Sequence, residues 1–248
     1  MPSKRTVVLL SLLLATPAFI FWLWLLIVPA RVAERCPEEC KCGTGGIEIF
    51  CNNPSLTAIP LIRLPNVRRL SIFSNSNITL LEKDSFFSRR LTQLKVLHMY
   101  NCGLRTIELG AFNGLTELTH LSMQSNKISE ITPGTFQNLN CLEALDLNNN
   151  KLEQCDSAVF SGLVNLTYID LSGNKLQYLH PDAFVGLPKL QQLYFYINPN
   201  LHIPTDRNFI HSHSLTVLDI SHCNISSLSV KTFANVTALV WLDVRKIF

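Results

Sequence analysis

The sequence is short of charge, and the charge it has is balanced. Charged residues make up 16% of its 248 positions. Setting Lys4 and Arg5 aside, 19 basic residues face 18 acidic ones, a net +1 over residues 29–248. That is no footprint for nucleic acid, and it gives a glycosaminoglycan little to hold. No Gly-rich phosphate loop, paired carboxylates or Ser/His/Asp order stands out, so no catalytic residue is assigned and no enzyme is expected. No Cys-x2-Cys pair occurs, which removes the spacing of zinc ribbons and of thioredoxin-like redox motifs. No metal and no cofactor is expected.

Long apolar runs are also scarce, with one exception. Thr6 to Val28 reads "TVVLLSLLLATPAFIFWLWLLIV", without a charge, behind Lys4 and Arg5. A charged start followed by an apolar run is a secretory signal, and this run is also long enough to span a bilayer. Residues 1–30 are therefore either a cleaved signal peptide or an uncleaved signal anchor. Both place the downstream chain outside the cytosol, secreted or at the cell surface, touching a membrane only through that segment if it is uncleaved.

Cysteine is concentrated. Four of eight lie in "CPEECKCGTGGIEIFC", at Cys36, Cys40, Cys42 and Cys51. In an oxidising compartment such a cluster reads as two disulfides, with three connectivities open. The rest of the chain is a repeat. Leu94, Leu118, Leu142, Leu166 and Leu190 recur every 24 residues, and Leu215 and Leu239 continue the series behind an imperfect first unit at Val67. "LEALDLNNNKLEQCDSAVFSGL" and "LTYIDLSGNKLQYLHPDAFVGL" match almost position by position. Each "LxLxx" is a short strand whose alternate leucines face one way, so stacked units bury a continuous interior. Asn126, Asn150 and Asn174 take the next slot, where a buried amide can bond the backbone of its own turn and of its neighbour. Cys102 and Cys223 stand in that slot in two units. Phe112, Phe136, Phe160, Phe184 and Phe233 follow it by ten residues and should form an aromatic column. Two units carry one extra residue after the asparagine, at Asn75 and Asn198, and read as bulged turns.

A 24-residue unit of this pattern is the leucine-rich repeat signature. With "CPEECKC", Cys51 and "LTAIP" in front of it, the chain resembles the extracellular leucine-rich repeat proteins, a group that includes Slit, Toll-like receptors, the Nogo receptor, chaoptin and connectin. The resemblance implies an amino-terminal cysteine-rich cap (LRRNT) over residues 36–66, with Cys36 bonded to Cys42 and Cys40 to Cys51. It implies that residues 67–248 form an α/β right-handed solenoid, a horseshoe with a concave parallel sheet and little regular helix opposite. Seven repeats are complete. The chain stops inside the eighth without the second cap usual in the family, as a fragment would. The function implied is recognition of an extracellular protein ligand or cell-surface receptor, in adhesion, guidance or a receptor ectodomain. Innate immune pattern recognition and a structural matrix role are alternatives, and a homodimer is a further arrangement.

Residues between the strand leucines should face the concave side. One row runs Ser71, His98, Ser122, Asp146, Asp170, Tyr194, Asp219, Asp243, and the row two places later includes Phe73, Tyr100, Ser172 and Tyr196. Tyr168, Tyr194 and Tyr196 should form an exposed aromatic cluster beside the bulge at Pro199, with Asp146 and Asp170 as an acidic stretch. These five are the partner-binding candidates, since interfaces use tyrosines as anchors; "LDL" is also an ordinary form of the repeat. Sequons at Asn77, Asn165, Asn224 and Asn235 suit glycosylation in turns. "HSH" at His211 to His213 reads as a solvated loop, Cys155 as a core residue, and Cys141 has no clear place.

Overall fold

Each repeat leaves one strand in a common sheet, because alternating leucines at the unit's start pair with the same positions one unit on. A computed structural model describes residues 35–89 and 91–246. The segment 1–30 and its signal reading lie outside them. The sheet has ten strands. Cys40–Cys42 and Glu48–Cys51 form an antiparallel hairpin. Eight parallel strands then follow in chain order: Arg69–Phe73, Val96–Tyr100, His120–Ser122, Ala144–Asp146, Tyr168–Asp170, Gln192–Tyr194, Val217–Asp219 and Trp241–Asp243. The result is a parallel-strand solenoid of about eight turns, the leucine-rich repeat architecture. Two parallel pairs lie outside this sheet, Leu80–Leu81 with Thr106–Ile107 and Gln154–Cys155 with Tyr178–Leu179. Among the described residues the only helical elements are short 3-10 turns, Thr44–Gly46 and Phe87–Arg89.

The register is uniform. Ser71, His98, Ser122, Asp146, Asp170, Tyr194, Asp219 and Asp243 pair in sequence across the eight parallel strands. Phe50 of the hairpin pairs with Ser71 and extends the row. The intervening residues Leu70, Leu97, Leu121, Leu145, Ile169, Leu193 and Leu218 are buried. The hairpin is held by disulfides Cys36–Cys42 and Cys40–Cys51, and Cys51 and Ile49 sit fully inside the core. Crosslinking the chain at the start of the stack removes conformations from the unfolded state, where a solenoid's first turn has a neighbour on one side only.

The asparagine slot carries a relay of hydrogen bonds. Asn150 Oδ1 accepts the Ile128 N–H one repeat earlier at 3.1 Å, while its Nδ2 donates to Met123 O and Leu147 O, both at 3.0 Å. Asn126, Asn174 and Asn198 do the same. A thiol, with one hydrogen, can replace only one of the two donations and none of the acceptance in this pattern. Cys102 Sγ donates to Ile72 O at 3.3 Å and Cys223 Sγ to Phe195 O at 3.2 Å, but neither offers the earlier repeat a good acceptor. The earlier repeats are the two with an extra residue. There the turn closes on itself: Asn75 Oδ1 takes the N–H groups of Asn77 and Ile78, and Leu201 N–H goes to Asn198 O. The bulges and the cysteines are one device. Gly103, just after Cys102, has φ +80°, and a Cβ there would collide with Ser76 O in the bulged turn.

The phenylalanine column differs from its sequence reading. Phe86, Phe112, Phe136, Phe160 and Phe184 stack with centroids 5.6–6.5 Å apart. The chain of rings then turns through Phe195 to Phe209, tilted by about 60°. Phe195 stands in a strand-leucine slot, and its larger ring reaches the column where the bulged unit shifts Phe209. Phe233 is left only partly buried.

Candidate functional site

The concave face is built by the rows of outward residues, and its chemistry varies along the sheet. In the strands Ala144–Asp146, Tyr168–Asp170, Gln192–Tyr194 and Val217–Asp219 it is acidic and aromatic. Asp146 and Asp170 are neighbours in the ladder, and Tyr194 stands between Asp170 and Asp219. Paired strands lie about 4.8 Å apart, so these side chains share one surface. The rings of Tyr168 and Tyr194 meet with centroids 5.5 Å apart at 43°. Tyr196 lies two residues beyond Tyr194 on the same face, and the ring contact is between the other two.

Each aspartate has one oxygen committed to its own strand end. Asp146, Asp170 and Asp219 accept the N–H two residues on, from Asn148, Ser172 and Ser221, at 3.0, 2.8 and 2.9 Å. Asp243 accepts from Arg245 in the same way at 2.9 Å. This is the structural reason for "LDL" in the repeat: the carboxylate satisfies a backbone donor where the ladder stops. The second oxygens have weaker neighbours: Ser122 Oγ at 3.3 Å for Asp146, and Asn148 Nδ2 and Tyr168 O–H, both at 3.4 Å, for Asp170. No Lys, Arg or His among the described residues forms an ion pair with Asp146, Asp170 or Asp219, whereas Arg245 forks Asp243 through Nε at 3.0 and 2.9 Å.

The electrostatics follow from that crowding. Burial, then the neighbouring Asp170, push the Asp146 carboxyl above its usual range. Burial and the same carboxylates hold the hydroxyls of Tyr168, Tyr194 and Tyr196 above the usual phenol range, so all three stay neutral donors. All five candidates are less open than their position in the strand suggests. Asp170 is only 5% exposed, and Asp146, Tyr168, Tyr194 and Tyr196 are half-buried, because neighbours at strand spacing shield one another. Asp219 belongs to the same patch, and its place in the aspartate row was the signal for it.

A second surface lies at the hairpin end, where the sequence reading assigned nothing. Phe73 and Tyr100 stack at 5.1 Å, nearly parallel. With Phe50, Glu48, Arg69, Ser71 and His98 they line a cavity of about 520 Å³. Burial, then Arg69 and His120, lower the His98 pKa, so the imidazole favours its neutral form there. The signal was available: Phe73 and Tyr100 are adjacent in one outward row.

The remaining sequence candidates fall elsewhere. Asn77 and Asn224 are exposed, while Asn165 is half-buried, with Nδ2 on Asn140 O and Oδ1 on Lys189, both at 2.7 Å. Asn235 lines a cavity of about 510 Å³ with Leu187, Pro188, His211 and Ser214. His211 Nδ1 turns to Asp182 at 2.6 Å. Cys155 is buried in the core and Cys141 is an exposed free thiol. Burial pushes the Cys155 thiol up to about 12, which keeps it an inert apolar group.

The fold and this face define a class: a stacked-repeat scaffold that presents a variable sheet surface. A leucine-rich repeat family model matches residues 65–128, 92–152 and 142–198, and a second matches 211–234. The chain belongs to the leucine-rich repeat family, whose domains generally bind protein partners. It is 33% identical over 107 residues to leucine-rich repeat-containing protein 3B of Bos taurus, Mus musculus and Homo sapiens. That stretch is 43% of this chain and 39% of those proteins, so the match spans well under half their length. Among solved structures it resembles human 5T4 (Wnt-activated inhibitory factor 1, trophoblast glycoprotein), with TM-score 0.62 and 22% identity over 86% of this chain and 82% of that one. At that identity the likeness speaks for the fold.

Proposed function

We propose that this chain is a non-enzymatic recognition module that acts outside the cytosol, secreted or at the cell surface, and binds a protein partner on its concave sheet. In this reading residues 1–30 direct export, 36–66 cap the stack and 67–248 present the binding surface. The observation that carries it is the Tyr168, Tyr194, Asp146, Asp170 and Asp219 surface. Half-open tyrosines make strong interface anchors, and the surrounding carboxylates lack cations within the described fold. The two disulfides support the compartment, since such bonds persist where the environment is oxidising. The experiment is a binding screen of the secreted chain, as a multimer, against an array of extracellular protein domains. A partner retained by wild type and lost by Tyr194→Ala with Tyr196→Ala supports the proposal. Retention by that double variant, with loss on Tyr178→Ala instead, moves the site to the opposite face, where Tyr178 is exposed.

A further inference from the structure

The acidic-aromatic patch is incomplete in a specific way, and the last repeat shows what completes it. Asp243 occupies the same ladder row as Asp146, Asp170 and Asp219 and uses one oxygen on the backbone as they do. There the chain itself supplies a guanidinium: Arg245 Nε spans both carboxylate oxygens at 3.0 and 2.9 Å. The earlier aspartates have small polar residues where Arg245 stands, namely Asn148, Ser172 and Ser221, and no cation of the described chain forms an ion pair with them, although the charge of Arg245 is felt at Asp219. Asp146 and Asp170 are adjacent carboxylates and repel, Asp219 lies one strand further on past Tyr194, and Asp170 is nearly buried, where a charge without a counter-ion is costly.

An unsatisfied hydroxyl lies at the end of the same strand. Ser172 is 1% exposed, and its Oγ has no hydrogen-bond partner. It lies in the turn that ends this strand, two residues past Asp170, and its N–H donates to Asp170 Oδ1 at 2.8 Å. A buried hydroxyl without a partner calls for an explanation, and one that can accept as well as donate is served by an incoming N–H. The tilted rings of Tyr168 and Tyr194 add aromatic faces at the same place, and such faces attract cations.

We propose that this patch receives an arginine side chain of the protein partner, seated against Tyr168 and Tyr194 with its guanidinium on Asp170 and the second oxygens of Asp146 or Asp219. Arginine fits better than lysine. Its planar head stacks on rings and presents several N–H groups at once, whereas an ammonium is a strongly hydrated point charge. The inference rests on the concave face being the contact surface, and deepens that reading by naming what the partner brings.

The test pans a random-peptide display library on the full secreted chain, then measures enriched peptides as synthetic ligands. The reference variant for site is Tyr194→Ala with Tyr196→Ala. The charge variant is Asp146→Asn with Asp219→Asn, which keeps each backbone acceptor; Asp219→Asn alone serves if the pair is not secreted. Expected are peptides that carry arginine, lose binding on the tyrosine variant, and weaken about tenfold or more both on the charge variant and when arginine is replaced by uncharged citrulline, as for a lost charged hydrogen bond. Peptides that depend on Tyr194 and Tyr196 yet keep their affinity with citrulline or on the charge variant overturn the arginine proposal and leave concave recognition standing. A library that yields no peptide dependent on those tyrosines counts against both.

Discussion

Asn150→Cys is a sharp test of how the repeats are held, because the protein already places cysteine in this slot twice. A size argument treats the two as equivalent, and then the substitution is nearly neutral. The hydrogen bonds say otherwise. The thiol has one hydrogen and can take over donation to Met123 O, as the native cysteines do toward the previous strand, but it leaves Leu147 O without that donor and cannot replace Asn150 Oδ1 as acceptor for the Ile128 N–H. Ile128 is fully buried, and its turn lacks the extra residue that lets the turns before Cys102 and Cys223 close on themselves. One orphaned buried donor costs about 1–3 kcal/mol. Asn150→Ala strands both carbonyls, so it should cost more, about 2–5 kcal/mol on the same scale. Denaturant unfolding measures the loss. Hydrogen exchange localises it, with the Ile128 amide losing protection while the 166–190 repeat keeps its own. An Asn150→Cys protein as stable as wild type, with Ile128 equally protected, would refute the link between bulge and cysteine.

Other outcomes follow from the same structure. Phe136→Ala should cost about 3–5 kcal/mol, read by denaturant midpoint, since Phe136 is 1% exposed and stacked between Phe112 and Phe160. Replacing Cys40 and Cys51 by serine should cost about 3 kcal/mol by loss of loop closure and reduce secretion yield. Asp146→Asn should be more stable than wild type at neutral pH. The folded-state pKa of Asp146 is raised by burial and Asp170, so the folded state binds the proton more tightly, and stability is lost as pH rises from the unfolded to the folded pKa. Melting curves of the two proteins should converge as pH falls below about 4, the ordinary carboxylate range. Ile197→Asn should stabilise by about 1 kcal/mol, since the β-branched Ile197 holds φ 57°, a conformation that asparagine tolerates better.

The repeat architecture was legible because its cause is local and periodic. Leucines at fixed spacing name the strands, stacking aligns them, and alternation divides core from face, so the outward rows could be written down from spacing alone. What stayed hidden depends on relations between repeats. The pairing of an extra residue with the next unit's cysteine needs a hydrogen bond whose donor and acceptor lie over twenty residues apart. The turn of the aromatic column through Phe195 depends on ring size at a position the pattern treats as leucine. The surface around Phe73 and Tyr100 gains Phe50 from the hairpin, which the 24-residue register does not include. Asp170 reads as an outward residue, yet its own neighbours bury it, and that crowding gives the patch its demand for a cation.

The central claim is that the concave sheet is the contact surface, and residue-level footprinting of the secreted chain with a bound partner tests it most directly. Tyrosine and carboxyl labelling, with and without the partner, compares Tyr194, Tyr196, Asp146 and Asp219 on the concave face with Tyr178 on the opposite one. The account predicts protection of the first four and unchanged reactivity at Tyr178. Protection of Tyr178, with Tyr194 and Tyr196 as reactive as in the free protein, would contradict it.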